Sequence, residues 1–141
     1  MRIWTSRWFT KLPPAMQKFG ISRSVRRGYP AGYRRVRELE LGPWCRSVTP
    51  EEYHHRFMAQ LGALDARAIV ARLEQLGDGR DVVLLCYEAP HKPEAWCHRA
   101  QVSAWLYDEL GIEVHEWGHE AAGCGVNHPK FAAVIHPADR H

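Results

Sequence analysis

A continuous apolar run, Val82-Val83-Leu84-Leu85-Cys86, constrains the fold of this chain more than any other feature. Five apolar residues without alternation are typical of a parallel β-strand that is covered on both faces. Gly77-Asp78-Gly79 precedes the run and predicts the end of a helix, and a helical pattern over residues 96–110 follows it. Because residues 112–115 again favour a strand, residues 81–115 predict a β-α-β unit with parallel strands.

The rest of the chain fits the same class. At 141 residues, with 45% hydrophobic and 25% charged residues, it has the size and composition of one globular domain. Thr49-Pro50 and Asp65 are typical helix starts, with Thr and Asp as caps and Pro in the first turn. We therefore predict a single α/β domain over residues 1–141, with three layers and a small, mostly parallel sheet of about four strands. The predicted strands lie near 2–6, 19–23, 81–87 and 112–116.

Charge is distributed unevenly along the chain. Residues 1–46 hold eleven Lys and Arg against two acids, a net charge of +9, and residues 47–141 hold eight against fourteen, a net charge of −6. Residues 23–46, the basic segment, are rich in Arg and Tyr without periodicity and predict an irregular loop anchored by Leu39, Leu41 and Trp44. Residues 117–141 predict a His-rich extension that wraps the surface. The basic segment indicates an anionic partner, or equally a loop folded against the chain's own acidic helices.

Chemically reactive side chains gather around the apolar run. Cys86 and Glu88 follow its end, and Cys97, His98 and Arg99 open the next helix. Ligands of open α/β sheets bind at the carboxyl ends of the strands, so we expect a cleft here. A helix N-terminus lowers the pKa of a thiol and attracts anions. We predict a reactive thiol in Cys86 or Cys97, a carboxylate that acts as acid, base or orienting group in Glu88, and a proton carrier in His98.

Three further residues complete this predicted cleft. Arg99 and Arg23 are expected to bind the anion, because guanidinium groups pair with phosphate or carboxylate. His115 is expected to border the cleft, since residues 114–116 are predicted to lie beside Leu85 and Cys86 in the sheet. Four cysteines in a protein of this kind favour free thiols, ligands or reactive groups over a disulfide framework.

The spacing of the cysteines does not match the known motifs of zinc fingers and cysteine phosphatases. Cys86, Glu88, Cys97 and His98 are zinc-ligating residue types, but the ten-residue gap between the cysteines is not a zinc-finger spacing. We expect no cofactor, with zinc as the alternative. His115-Glu116-Trp117-Gly118-His119 matches the zinc-protease pattern, but it begins on a predicted strand and contains Gly118. The arginine of a cysteine phosphatase loop is replaced by Lys92, and Gly-rich phosphate loops are absent.

The stretch from Val82 to Glu88, Cys97-His98-Arg99 and Gly111-Ile112-Glu113-Val114 together resemble the family called domain of unknown function 488. Weaker likeness extends over residues 3–6 and 20–23. The resemblance implies a small α/β sheet and a site at Cys86, Glu88, Cys97, His98 and Arg99, with Arg23 a further match. It implies no particular reaction.

Three functions remain open from the sequence. The first is an enzyme or binding domain for a small anionic or nucleotide-like ligand. The second is nucleic-acid binding by the basic segment, whose arginines and tyrosines suit phosphates and stacked bases. The third is a structural cluster in which both thiols are buried and Glu88 pairs with Arg99. With no apolar run of membrane-spanning length and no signal peptide, we expect a cytoplasmic protein without a membrane partner.

Overall fold

A computed structural model describes residues 1–22, 33–42, 44, 47–86 and 97–131. In these residues the strands are β1 (Ile3–Arg7), β2 (Gln17–Gly20), β3 (Arg34–Arg35), β4 (Val82–Cys86) and β5 (His115–Glu116). The α-helices are α1 (Pro50–Gly62), α2 (Ala66–Leu76) and α3 (His98–Leu110). Short 3₁₀ helices lie at Arg37–Leu39, Glu120–Ala122 and Gly125–Asn127.

All five strands form one parallel sheet in the order β3-β2-β4-β1-β5. The predicted α/β class and parallel sheet are confirmed, but the sheet has five strands rather than about four. The additional strand, β3, lies within the basic segment that we expected to be irregular throughout. The anchors of that segment are as predicted, because Leu39 is buried and Leu41 and Trp44 pack against the core.

One predicted neighbour relation is wrong. β5 pairs with β1, not with β4, and β1 lies between them, with Trp4 opposite His115 and Arg7 opposite Cys86. The first strand is therefore inserted into the centre of the β4-α3-β5 unit. Pairing between strands far apart in the chain depends on tertiary packing, which the local pattern in residues 81–115 does not contain.

The two faces of the sheet are covered differently. Side chains from all three helices pack on one face, where the core includes Ile3, Phe19, Val82, Leu84, Phe57, Leu73 and Leu106. In the described part of the chain, the second face is covered by residues from outside the helices, which pack on Trp4, Val83 and Leu85; they are Leu12, Met16, Tyr33 and Trp117, with Trp8. The expected third layer therefore consists here of loop side chains rather than of helices.

The helix boundaries follow local signals. Thr49 caps α1 by accepting a hydrogen bond from the Glu52 N–H at 3.2 Å, and Asp65 caps α2 through the Ala68 N–H at 3.2 Å. α3 ends at Gly111, whose φ of 67° suits glycine. Cys97 is the N-cap residue of α3 and makes no side-chain capping bond, so its sulfur is directed elsewhere.

Candidate active site

The site is organised around two sulfur atoms at the carboxyl end of β4. Cys86 is the last residue of that strand, Cys97 precedes α3, and the structure joins the two in a disulfide. They are 1% and 2% exposed, which places the pair within the core under the N-terminus of α3. From the sequence we expected free thiols, ligands or reactive groups rather than a disulfide, and the structure instead pairs these two cysteines, because the fold brings together residues that the sequence places eleven positions apart.

Arg99 links the cysteine pair to a carboxylate. Its Nη1 donates to the Cys86 sulfur at 3.0 Å, while Nε and Nη2 donate to the two carboxylate oxygens of Glu116 at 2.9 and 2.8 Å. The Arg99 and Glu116 side chains are 0% and 1% exposed. Among the described residues, the ionic partner of Arg99 is therefore Glu116 on β5, while the expected Glu88 lies outside them.

A chain of hydrogen bonds continues from Glu116 to a histidine. The Lys130 backbone N–H donates to His128 Nδ1 at 3.0 Å, so the ring proton of neutral His128 lies on Nε2. That nitrogen donates to Thr5 Oγ1 at 2.7 Å, and the Thr5 hydroxyl donates to Glu116 at 2.8 Å. One connected network thus joins the His128 imidazole, the Thr5 hydroxyl, the Glu116 carboxylate, the Arg99 guanidinium and the Cys86 sulfur.

His98 stands beside the second sulfur. Its Nε2 lies 2.7 Å from the Ile21 carbonyl oxygen, which can only accept, so Nε2 carries the ring proton. Nδ1 then presents a lone pair 3.6 Å from the Cys97 sulfur. The two cysteines therefore have different neighbours, a cationic donor at Cys86 and a neutral imidazole acceptor at Cys97.

Burial and pairing shift the pKa values of these groups. Burial lowers the pKa of His98 to about 4, which keeps the imidazole neutral near neutral pH. Burial acts to raise the pKa of Glu116, but the hydrogen bonds with His128 and Arg99 outweigh it and lower the pKa to about 2. Burial also lowers the pKa of His128. Such shifts cluster at functional sites, although structural ion pairs produce them too.

The structure separates the predicted site residues into groups. Cys86, Cys97, His98 and Arg99 come together as predicted, and Glu88 and Arg23 lie outside the described residues. His115 does not border this cluster. β5 pairs with β1, and successive side chains of a strand alternate between the two faces of the sheet. The His115 side chain therefore points away from the face that carries Glu116.

Three residues of the network were missed from the sequence: Thr5, Glu116 and His128. Glu116 carried a signal, since it lies in the histidine-containing motif that matches the zinc-protease pattern and that we did not expect to form a zinc site. That pattern is not formed, because His115 is in a strand and Gly118 has a φ of 81°. His128 belongs to the His-rich extension that we expected to wrap the surface, and it is instead 1% exposed. No local pattern in the His-rich extension distinguishes it.

Comparisons with known proteins do not identify this arrangement: no family model, curated protein or solved structure matches the chain. The resemblance to domain of unknown function 488 therefore stays a prediction. Among the described residues, no helix has the length and apolar character needed to cross a membrane.

Proposed function

We propose that this protein carries out thiol–disulfide exchange with a small anionic ligand, using Cys86 and Cys97 as a redox pair. The observation that carries the proposal is the contact of the two sulfurs, with Arg99 donating to Cys86 at 3.0 Å. A buried ion pair such as Arg99–Glu116 contributes little to stability compared with apolar packing, since desolvation offsets its attraction. Its position against a cysteine sulfur supports a role in tuning that thiol.

The two cysteines take different parts in the exchange. In the reduced pair, the Arg99 guanidinium stabilises the thiolate of Cys86, which loses its proton to solvent. This thiolate attacks one sulfur of a small disulfide, which forms a mixed disulfide and releases the first ligand thiolate. Cys97 then attacks the Cys86 sulfur and releases the second ligand thiolate, while the Cys97 thiol proton passes to that leaving group and His98 Nδ1 orients the Cys97 thiol. The first thiolate takes its proton from solvent, so one ligand disulfide yields two ligand thiols and the protein disulfide.

A second arginine supports the anionic character of the ligand. Arg7 is the last residue of β1 and lies opposite Cys86 in the parallel register, so both side chains leave the same face of the sheet. Its Nε is buried without a hydrogen-bond partner among the described residues. Arg99, whose charge is balanced by Glu116, is less suited to the anion-binding role that the sequence predicted. We assign that role to Arg7.

The burial of the two cysteines limits the size of the partner, and the cellular compartment sets the resting redox state of the pair. Because Cys86 and Cys97 are 1% and 2% exposed, a small disulfide can reach their sulfurs after a smaller opening than a protein partner requires. We place the protein in the cytoplasm, as the sequence predicts. Thiols are kept mostly reduced there, so the resting form is the dithiol and an encounter with oxidant forms the disulfide.

Oxidised glutathione is a suitable probe because it is a small anionic disulfide. We expect both thiols of the reduced pair to disappear together in glutathione buffers, with a midpoint in the range of about −180 to −270 mV seen for redox-active pairs. Cys97→Ser should stop at the mixed disulfide, while Cys124→Ser, a control outside the pair, should behave as wild type. A pair that stays unreactive until the chain unfolds would support the structural cluster and exclude the exchange reaction.

The role of Arg7 in binding the anion is tested by comparing an anionic disulfide with a neutral one. Arg7→Gln should slow the reaction with oxidised glutathione by roughly tenfold, as for loss of one charge-assisted hydrogen bond, and leave the reaction with neutral hydroxyethyl disulfide unchanged. Arg2→Gln, which lies just before the opposite end of β1, is the matched control. Equal slowing with both disulfides would show that Arg7 does not recognise the anion.

A zinc site is the second candidate, because Cys86, Cys97 and His98 place their ligand atoms within 4.8 Å of one another. Zinc would hold both sulfurs as thiolates and prevent the exchange reaction. A native mass spectrum of protein purified without chelator separates the two, since zinc adds mass and a disulfide removes two hydrogens.

Nucleic-acid binding stays a prediction. In the described part of the basic segment, Arg35 pairs with Glu40 at 2.8 Å and Tyr33 packs edge-on against Trp8. Both contacts lie within the chain, and neither favours a nucleic-acid partner over the exchange reaction.

A further inference from the structure

A second cluster of metal-ligating side chains lies at the edge of the sheet, away from the cysteine pair. Glu113 and His115 belong to the segment that leads into and begins β5, and Cys124 comes from the turn that follows it. The Glu113 carboxylate lies 3.7 Å from His115 Nε2 and 3.9 Å from the Cys124 sulfur. One ligand atom from each of the three residues lies within 4.8 Å of the other two.

The backbone holds the three side chains in place. Glu113 and His115 are two positions apart in extended chain, so they point to the same side. An antiparallel bridge pairs His115 with Cys124. The turn that carries Cys124 is fixed to α3, because the Gly125 N–H donates to Ser103 Oγ at 2.9 Å and that hydroxyl donates to the Val114 carbonyl at 2.7 Å.

Within the described residues, no hydrogen bond of the His115 imidazole explains this placement. Its Nδ1 is buried without a partner among the described residues. Glu113 is largely exposed, with 66% of its side chain accessible, so its approach to the histidine and the thiol is not forced by packing. In the described part of the chain, the three side chains are therefore held to one another only by the two contacts of Glu113 given above, and not by packing in the core.

The distances suit a tetrahedral metal ion. With zinc bonds of about 2.0 Å to nitrogen and oxygen and about 2.3 Å to sulfur, neighbouring ligand atoms are separated by roughly 3.3–3.7 Å. The observed 3.7 and 3.9 Å require only a small closing movement. We propose that Glu113, His115 and Cys124 bind a zinc ion, with a fourth coordination position open to water or a small ligand.

The surroundings explain why one position stays open. The three residues line a pocket of about 360 Å³, whose wall also includes Asp108 and Asn127. Burial, followed by the charge of Glu113, raises the pKa of the Cys124 thiol, so zinc binding has to release the thiol proton. Three protein ligands beside a pocket are the arrangement of zinc sites that bind water or substrate, whereas structural sites have four protein ligands.

Cobalt titration tests the site in the 141-residue protein, with the Cys86–Cys97 disulfide formed in every variant that keeps both cysteines. Cobalt(II) replaces zinc at such sites and gives a thiolate-to-cobalt absorption band when a cysteine coordinates it. We expect this band in wild type, its retention in Cys97→Ser and its loss in Cys124→Ser. Competition with a zinc indicator should show zinc binding weakened by roughly 100-fold or more in Cys124→Ser, beyond the effect of changing an outer-sphere residue.

Glu113→Gln keeps the test independent of folding, because this side chain is largely exposed and cannot destabilise the core. It should retain the absorption band with a lowered affinity, since the thiolate remains and one oxygen ligand is weakened. The proposal is overturned if wild type shows no band. It is also overturned if the band survives in Cys124→Ser and disappears in Cys97→Ser, which would place the metal at the cysteine pair.

Discussion

Replacing Glu116 with glutamine tests whether the buried network has the charges described above. The substitution keeps the shape of the side chain but leaves the Arg99 guanidinium buried without its carboxylate. Removing one partner of a buried ion pair costs about 3–5 kcal/mol. An independent estimate comes from the pKa of Glu116, which falls from 4.5 to about 2 in the folded protein. This difference corresponds to about 3 kcal/mol of stability.

The pH dependence of the effect follows from the sign of the shift. Because the folded-state pKa of Glu116 is depressed, its contribution is fully present above about pH 4.5 and is lost as the pH falls toward about 2. Glu116→Gln has no carboxylate to protonate and lacks this part of the acid destabilisation. The free-energy difference between the two proteins should therefore be about 3 kcal/mol at neutral pH and shrink in acid.

Equilibrium unfolding in urea at pH steps from neutral to about 3 measures this difference directly. Both proteins are compared with the disulfide in the same state, and Glu120→Gln, a change at an exposed position, is the control, with an expected effect below about 0.5 kcal/mol. A Glu116→Gln effect below about 1 kcal/mol at neutral pH would refute the reasoning. It would mean that the Arg99–Glu116 pair is solvated rather than buried.

Two further predictions concern stability. The free energy of unfolding of wild type should fall by about 3 kcal/mol as the pH drops from 6.5 to about 4, because His98 takes up its proton at a higher pH in the unfolded chain than in the folded one. Urea unfolding of His98→Gln should show a smaller fall over the same range. An equal fall in both proteins would contradict the lowered pKa of His98. Gly77→Ala should destabilise the protein by about 1–3 kcal/mol, since the added Cβ would lie 2.8 Å from both Leu73 O and Val82 Cγ1. Gly62→Ala should stabilise it by about 0.4–1 kcal/mol, because no described atom lies within 4 Å of the added Cβ. Melting temperatures that move in the same direction for both glycines would contradict this.

Much of the local structure could be predicted because it depends on short-range interactions. The run Val82–Cys86 forms a strand that is buried along its whole length. Thr49 and Asp65 cap helices because their side-chain oxygens reach N–H groups three residues ahead. Cys97, His98 and Arg99 lie together with Cys86 because a strand, a connection and a helix start bring them to one edge of the sheet.

The strand order required the whole chain. β1 pairs with both β4 and β5, so it separates the two strands that the local pattern made neighbours. This pairing depends on which apolar faces fit together after the helices have packed. β3, with only two residues, is too short to produce an alternating pattern that could be recognised.

By itself, the sequence determined which groups meet at the site: two sulfurs, an imidazole and a guanidinium. Tertiary structure decided their partners. Thr5 and His128 lie 123 positions apart, and Arg99 finds Glu116 because β5 lies beside β1. An arginine buried at this edge of the sheet needs a carboxylate, and only the fold decides which acidic residue is close enough to provide it.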